Sequence, residues 1–206
     1  MLGLFVAVMI SYLLGALPSG YILARAIKGI DIREHGSGNV GATNVFRVVG
    51  KACGLTVLLV DIGKGVLAVT LVANCFHHIS PIVNLNLYRI ILGLCAISGH
   101  NWPIFLGFKG GKGIATSTGV LIAILPKALI LSAVIWAAVV LIWRYISLGS
   151  IAASIALPIF VVILYQGSEG FLWLVLFAVF LSIIAIYKHR PNIRKLLKGH
   201  EEKIGK

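Results

Sequence analysis

Residues 171–187 read FLWLVLFAVFLSIIAIY, a run without a single charged side chain. At about 1.5 Å per residue, a helix of this run approaches the thickness of a bilayer's hydrocarbon core. Further apolar runs occupy residues 2–24, 52–76 and 152–165. With 59% hydrophobic and only 12% charged residues, the composition excludes a water-soluble globular domain. Because hydrocarbon offers the backbone no hydrogen-bond partner, the sequence predicts an all-α, polytopic bundle of transmembrane helices.

The basic residues lie mostly between the apolar runs and in the C-terminal tail. If the spans alternate across the membrane, all 18 Lys and Arg residues except Lys64, Arg89 and Lys127 fall on one side. The positive-inside rule places that side in the cytoplasm and the N-terminus outside. The formal net charge of +12 therefore indicates membrane topology, and nucleic acid is not predicted as a partner.

An outside N-terminus and a cytoplasmic C-terminus require an odd number of crossings, and we predict seven. The first run lacks a basic segment and a cleavage site, so we interpret it as a span and not as a signal peptide. Residues 113–143 then cross twice with a turn at Pro126. The alternative, one long span there, gives six crossings and separates the basic loops, which the charge pattern disfavours. The spans of this single membrane domain, residues 1–206, are predicted near 2–24, 53–75, 87–105, 113–125, 127–143, 150–166 and 171–187.

The first predicted cytoplasmic loop reads GSGNVGATNVFR over residues 36–47. Its small residues let backbone amides approach an anion, and Arg47 offers a planar pair of donors to a phosphate. Glycines in a loop often serve only as turn residues, and here the polar side chains between them favour a ligand site. A dinucleotide fold is excluded despite the G-x-G-x-x-G spacing, because a membrane-length run stands where that fold needs a strand. The candidate residues are Gly36, Ser37, Gly38, Asn39, Gly41, Thr43, Asn44 and Arg47.

A second cytoplasmic loop carries the sequence FKGGKG at residues 108–113. Two ammonium groups among glycines can surround a phosphate with side-chain and backbone donors. The loop is not a nucleotide-binding P-loop, because Leu106 stands where that motif has its first glycine and Gly113 where it has a hydroxyl. The candidate residues here are His100, Lys109, Gly110, Gly111, Lys112 and Gly113.

Two further segments, RYISLGS at residues 144–150 and KHRPN at 188–192, are predicted on the same face. The positive-inside rule alone explains the position of each arginine, but it does not explain the Ser, His and Asn side chains beside them. We therefore predict that the four segments converge on one site. The residues that these two segments contribute are Ser147, Ser150, His189 and Asn192. After Pro191 an apolar stripe flanked by basic residues is typical of an interfacial helix, or of a simple anchor to anionic lipid.

Asp61 and Lys64 lie inside the second predicted span, three residues apart and therefore on one helical face. We predict that they pair, and both a structural and a functional role are open. No metal or cofactor site is predicted. His77 and His78 have no carboxylate nearby, and the cysteines lie singly inside apolar runs.

Taken in order, the loops at 36–47 and 99–116 and the segments at 144–150 and 189–192 resemble those of the PlsY family. The likeness to these bacterial integral membrane acyltransferases covers essentially the whole chain. It implies transfer of a fatty acyl group from acyl phosphate to glycerol 3-phosphate, giving lysophosphatidic acid in the first acylation step of phospholipid synthesis. It also implies seven spans in the cytoplasmic (inner) membrane and a site facing the cytoplasm. The implied partners are glycerol 3-phosphate, acyl phosphate and membrane lipid, without acyl-CoA, metal, cofactor or an obligate protein partner.

The resemblance also implies roles for individual residues. Positions that hold phosphate groups in the family are matched by Ser37, Arg47, Lys112 and Ser150, and positions near the glycerol moiety by His189 and Asn192. The other polar residues of the same motifs, with less defined roles, are Asn39, Thr43, Asn44 and Lys109.

The residues themselves indicate chemistry without a dedicated base. None of the 6 histidines is followed five positions later by Asp, so the His-x4-Asp arrangement of many acyl-CoA-dependent acyltransferases is missing. An acyl phosphate has a good leaving group, so we predict that phosphate positioning by Ser37, Arg47 and Lys112 dominates catalysis. The proton acceptor is open between the departing phosphate, His189 and His100. The alternative function is a transporter or flippase for a phosphorylated small molecule or lipid, which several spans with polar loops would also suit.

Overall fold

The computed structural model describes residues 2–79 and 83–204 of the chain. These residues form helices and turns, with no strand among them, which confirms the all-α class. A π-helical segment, Ala68–Val72, joins two of the helices. In chain order the α-helices are α1 (Leu2–Ala16), α2 (Ser19–Lys28), α3 (Ala42–Val48), α4 (Lys51–Leu67), α5 (Ala73–His77), α6 (Leu85–Asn101), α7 (Ile114–Ile124), α8 (Pro126–Trp143), α9 (Ile146–Tyr165), α10 (Phe171–Lys188) and α11 (Arg190–Leu197).

Within the described ranges, 5 helical stretches are long and apolar enough to cross a bilayer. They are α1 with α2, α4 through α5, α8, α9 and α10, and they make the protein a multi-pass membrane protein. The helices α6 and α7 are shorter, at 17 and 11 residues. Seven crossings and the side of each terminus therefore stay predictions.

Proline residues set three of the helix ends. The first span is predicted as one continuous helix, but α1 ends at Ala16 and α2 begins at Ser19. The helix breaks there because Pro18 has no N–H for the helical hydrogen bonds. Similarly α6 ends at Asn101, before Pro103, and not near residue 105. The turn predicted at Pro126 is confirmed, since this residue stands in the first turn of α8.

The chain divides into two compact units, with the boundary between Ile124 and Leu125. In the first unit α1 packs on α6, and α4 packs on α7. Two glycines make the second contact close, because a Cβ on Gly65 would overlap the carbonyl oxygen of Thr116 and a Cβ on Gly119 would overlap a carbonyl of α4. Small residues allow this close approach between membrane helices. The contact holds α7 beside the part of α4 that carries the predicted ion pair.

In the second unit α8 packs on α9, and α9 packs on α10. Large apolar side chains on these helices are exposed, Leu141 to 81% and Ile163 to 65%, as expected for surfaces that face lipid. The chain then continues into α11, which has Pro191 in its first turn. Contact of α11 with lipid, and a single domain over residues 1–206, stay predictions.

Candidate active site

The first glycine-rich loop is organised by one buried side chain, Asn44. Its Oδ1 atom accepts a hydrogen bond from the N–H of Ser37 at 2.9 Å. Its Nδ2 atom donates to the carbonyl oxygens of His35 at 3.0 Å and Asn39 at 2.9 Å. The sequence predicts a substrate contact for Asn44, but the structure uses both ends of the amide inside the loop. Asn44 therefore holds the backbone of Ser37 in place, and its contact with substrate stays a prediction.

Two glycines of this loop, Gly36 and Gly38, are required by its backbone geometry. Gly36 and Gly38 have φ angles of 59° and 71°, in the left-handed region where other residues are strained. A Cβ on Gly36 would also collide with the side chain of Asn44. The N–H of Gly41 donates to Asn39 Oδ1 at 2.9 Å and closes a turn before α3. These residues shape the loop, and their role in binding substrate stays a prediction.

Two cationic side chains lie beside the same loop, and one of them, Lys28, bonds across it. Hydrogen bonds from Arg33 lower the pKa of the Asp31 carboxyl to about 2, so this contact adds no pH dependence near neutrality. Lys28 Nζ donates to the carbonyl oxygen of Val48 at 2.6 Å, at the C-terminal end of α3. Arg47 lies in the last turn of α3 and is exposed, as is Ser37 in the loop. Both predicted phosphate ligands of this loop are therefore at its surface.

The second loop is tied to the end of α6. The carbonyl oxygen of His100 accepts from the N–H of Gly111 at 3.1 Å, and that of Pro103 accepts from Phe108 at 2.9 Å. Gly111 is buried against the His100 ring, and a Cβ at this position would overlap Nε2. Any other residue there would force the ring or the loop to move.

Lys112 follows directly and is half-buried, whereas Lys109 is exposed. Helix α7 begins two residues later, at Ile114. The first turn of a helix carries unpaired amides and a partial positive charge, which add to the charge of the Lys112 ammonium. This part of the first unit is therefore suited to an anion such as phosphate.

Asp61 and Lys64 pair as predicted, with 2.7 Å between Nζ and Oδ1. Ser19 Oγ donates to the same carboxylate oxygen at 2.6 Å. The Nδ1 atom of His100 lies 3.8 Å from that oxygen. His100 also lines a small cleft at the break between α1 and α2. The ion pair is thus adjacent to a residue predicted to bind substrate.

In the second unit, Glu201 joins two of the predicted residues. Ser147 Oγ donates to Glu201 Oε1 at 2.6 Å, and Asn192 Nδ2 donates to the same oxygen at 2.7 Å. The N–H of Ile204 donates to the carbonyl oxygen of Arg144 at 2.8 Å and holds the tail in place. Sequence reasoning missed Glu201, although a carboxylate in an otherwise basic tail is a signal that could have found it.

His189 is buried, and its Nδ1 atom lies 2.7 Å from the carbonyl oxygen of Ala185. Because a carbonyl only accepts, this contact requires the proton on Nδ1 and leaves Nε2 as the accepting nitrogen of the neutral ring. Ser150 Oγ donates to the carbonyl oxygen of Ile146 at 3.0 Å, within its own helix. Ser150 can therefore donate to a phosphate only after this bond is exchanged.

The motifs that carry these contacts lie within a recognised family pattern. A family model described as Glycerol-3-phosphate acyltransferase matches residues 5–199. The chain belongs to this family. The matched region includes both glycine-rich loops and the segments at 144–150 and 188–192, whereas Glu201 lies just beyond its end. The family that the motifs resemble is therefore confirmed.

Relatives in the glycerol-3-phosphate acyltransferase family match the chain over nearly its whole length. It is 45% identical over 202 residues to the glycerol-3-phosphate acyltransferase of Desulforudis audaxviator (strain MP104C), covering 98% of this chain and 96% of the relative. It is 42% identical over 196 residues to the glycerol-3-phosphate acyltransferase of Clostridioides difficile (strain 630), covering 95% of this chain and 93% of the relative.

Solved structures of a family member have the same fold. The chain is similar to PlsY (YgiH), an integral membrane glycerol 3-phosphate acyltransferase, in its glycerol 3-phosphate form. The TM-score is 0.85 at 37% identity, covering 98% of this chain and 96% of that one. The lysophosphatidic acid form gives a TM-score of 0.82 at 36% identity, covering 98% and 95%.

The residues predicted for the site fall into two groups, one in each compact unit. In the first unit the structure links Ser37 to Asn44 and His100 to Gly111. In the second unit Ser147 and Asn192 share a single acceptor. Convergence of all four segments on one site stays a prediction.

Replacing Glu201 by alanine is expected to destabilise the protein, because Ser147 and Asn192 lose their shared acceptor. Each hydrogen bond to a charged group contributes about 1.5–3 kcal/mol, so the melting temperature in detergent should fall by at least about 3 °C. Glu201→Gln keeps an acceptor oxygen and should melt close to wild type. Glu169→Ala, at an exposed site in the same unit, is the matched control. Equal melting temperatures for Glu201→Ala and wild type would contradict the bridging role.

Proposed function

We propose that this protein transfers a fatty acyl group from acyl phosphate to glycerol 3-phosphate, giving lysophosphatidic acid and inorganic phosphate. The observation that carries the proposal is the family match over residues 5–199, which contains both glycine-rich loops. The similar PlsY structures in glycerol 3-phosphate and lysophosphatidic acid forms support the acceptor and the product. The resemblance of the motifs and the missing His-x4-Asp arrangement support acyl phosphate as the donor.

In this reaction a hydroxyl oxygen of glycerol 3-phosphate attacks the carbonyl carbon of the acyl phosphate. An ester bond forms, the bond between the carbonyl carbon and the phosphate oxygen breaks, and the phosphate leaves with the electron pair. The hydroxyl proton goes to the departing phosphate or to a histidine. The two candidate histidines are His189 and His100.

Ser37, Arg47 and Lys112 are proposed to hold the substrate phosphates, together with the amides at the start of α7. Their positive field stabilises the negative charge that develops as the carbonyl is attacked. From the family resemblance, Ser150 is assigned to phosphate, and His189 and Asn192 to the glycerol moiety. Most of the catalytic effect comes from placing two bound molecules correctly, since the leaving group itself is good.

We place the basic loops on the cytoplasmic side of the bacterial inner membrane, with the N-terminus outside and seven crossings. In this topology α6 and α7 are the third and fourth crossings. At 11 residues α7 covers about 17 Å, so it crosses only where the bilayer is locally thin or neighbouring helices shield it. A long acyl chain can then stay in lipid while its phosphate reaches the basic loops.

The test is an assay on purified protein in detergent, with a long-chain acyl phosphate and glycerol 3-phosphate. We expect lysophosphatidic acid and inorganic phosphate in equal amounts, with acyl-CoA unable to replace the acyl phosphate and a chelator without effect. Detergent removes any sealed compartment, so a transporter would give no product in this assay. A folded protein that makes no lysophosphatidic acid, or makes it only from acyl-CoA, would contradict the proposal.

A further inference from the structure

A buried ion pair in the first unit reaches from the break between α1 and α2 to the second glycine-rich loop. Asp61 and Lys64 are only 1% and 3% exposed, and their charged atoms lie 2.7 Å apart. Burying two charges inside a membrane protein is unfavourable unless further polar groups compensate it. The structure supplies such groups on both sides of the pair.

On one side the pair closes the helix break. Lys64 Nζ donates to the carbonyl oxygen of Leu17 at 2.7 Å. This carbonyl lies in the break after α1, where it also accepts from the N–H of Ser19 at 3.0 Å. Ser19, in the first turn of α2, donates through Oγ to Asp61 at 2.6 Å. These contacts give the pair a structural role in joining α1, α2 and α4.

On the other side Asp61 faces His100, with 3.8 Å between Oδ1 and Nδ1. This separation is longer than a hydrogen bond, so the contact is electrostatic. A carboxylate beside Nδ1 favours the tautomer that carries its proton there and attracts that edge of the ring. His100 is only 8% exposed, so little water weakens the interaction.

The opposite edge of the His100 ring lies against the loop. The Nε2 atom of the ring occupies the space where a Cβ on Gly111 would lie. The backbone carbonyl oxygen of His100 accepts from the Gly111 N–H at 3.1 Å. Gly110 packs against the same carbonyl oxygen. Lys112 is the next residue along the chain, so a displaced ring displaces the backbone that carries the Lys112 ammonium.

We propose that Asp61 is a positioning residue for Lys112, acting through His100. The ion pair orients the His100 ring, and the ring sets the path of the Gly110–Gly111 turn. This inference rests on the proposed function, because it requires Lys112 to hold a substrate phosphate. A displacement of about 1 Å in a catalytic group can lower a rate by about 100-fold, so a small shift of the turn is sufficient.

A double-mutant cycle tests this route, using Asp61→Asn, His100→Gln and the combination in purified protein. Asp61→Asn removes the carboxylate charge and keeps an acceptor for Ser19 and Lys64. We expect this variant to lower kcat/KM by about 10- to 100-fold. If Asp61 acts through His100, adding Asp61→Asn to His100→Gln should lower kcat/KM by no more than about 3-fold further.

A second variant and a control show whether a lower kcat/KM results only from misfolding. Asp61→Asn with Lys64→Gln leaves no unpaired buried charge, so it should melt closer to wild type than Asp61→Asn alone. It should still show the lower kcat/KM, because the carboxylate that faces His100 is gone. Arg89→Gln is the control, since Arg89 lies on α6 about three turns from His100 and donates to Asn74 at 3.3 Å. We expect its kcat/KM to equal that of wild type.

The outcomes separate this inference from the proposed function. If the wild type is active and the kcat/KM losses of Asp61→Asn and His100→Gln multiply in the double variant, the positioning role alone is overturned. Wild-type kcat/KM in the Asp61→Asn, Lys64→Gln variant would overturn it as well, whatever its stability. A folded wild type that makes no lysophosphatidic acid would overturn both the proposed function and this inference.

Discussion

Lys112→Ala is expected to lower kcat/KM by at least about 100-fold, the range seen when a transition-state donor is removed. The side chain is half-buried, its backbone lies between two buried glycines, and α7 begins two residues after it. The ammonium is thus held where a phosphate would meet the positive end of a helix. Turnover of acyl phosphate and glycerol 3-phosphate in detergent measures the effect.

Two matched lysine variants show whether the loss is specific. Lys109→Ala removes an exposed ammonium from the same loop and should lower kcat/KM by no more than about 10-fold, because water screens its charge. Lys51→Ala removes an exposed charge from the first turn of α4 and should leave the rate unchanged. Near-normal turnover in Lys112→Ala, or equal losses in all three variants, would contradict the role given to Lys112.

Ser37→Ala is also expected to lower kcat/KM by at least about 100-fold. The substitution removes only the hydroxyl, because the N–H that bonds to Asn44 at 2.9 Å is part of the backbone and is retained. The loop therefore keeps its shape, and the loss reports on a direct contact with phosphate. An unchanged melting temperature beside the reduced turnover is the expected combination.

Ser168→Ala, at an exposed position between α9 and α10, is the control for Ser37→Ala and should be fully active. Asn44→Ala provides a contrast, because it leaves the Ser37 hydroxyl in place but removes the amide that organises the loop. It should lower both the melting temperature and the rate. If Ser37→Ala turns over substrate like wild type, the first loop does not hold the reacting phosphate.

The long helices could be predicted from the sequence because hydrocarbon tolerates only continuous apolar runs. Predicted spans near 127–143 and 171–187 correspond to α8 (Pro126–Trp143) and α10 (Phe171–Lys188). The break at Pro18 was missed because hydropathy records the apolar side chains and not the lost backbone hydrogen bond. Hydropathy also does not decide whether α7 crosses the bilayer. Its composition is apolar, but its length is only 11 residues.

The site could be predicted as a set of motifs, but the role of each side chain could not. Asn44 has the donors and acceptors of a ligand-binding residue, and only the folded loop shows that they bond to the backbone. Glu201 was missed because Ser147 is distant from it in sequence and Asn192 belongs to another motif. The link between Asp61 and His100 likewise joins two helices that no local pattern connects.

The glycine-rich loops of the first unit are proposed to bind the substrate phosphates. The most direct measurement is an experimental structure with glycerol 3-phosphate and a non-transferable acyl phosphate analogue bound. We expect phosphate oxygens within about 3 Å of donor atoms on Ser37, Arg47 and Lys112. Phosphate groups bound elsewhere, with these three side chains directed away from both ligands, would contradict this role of the loops.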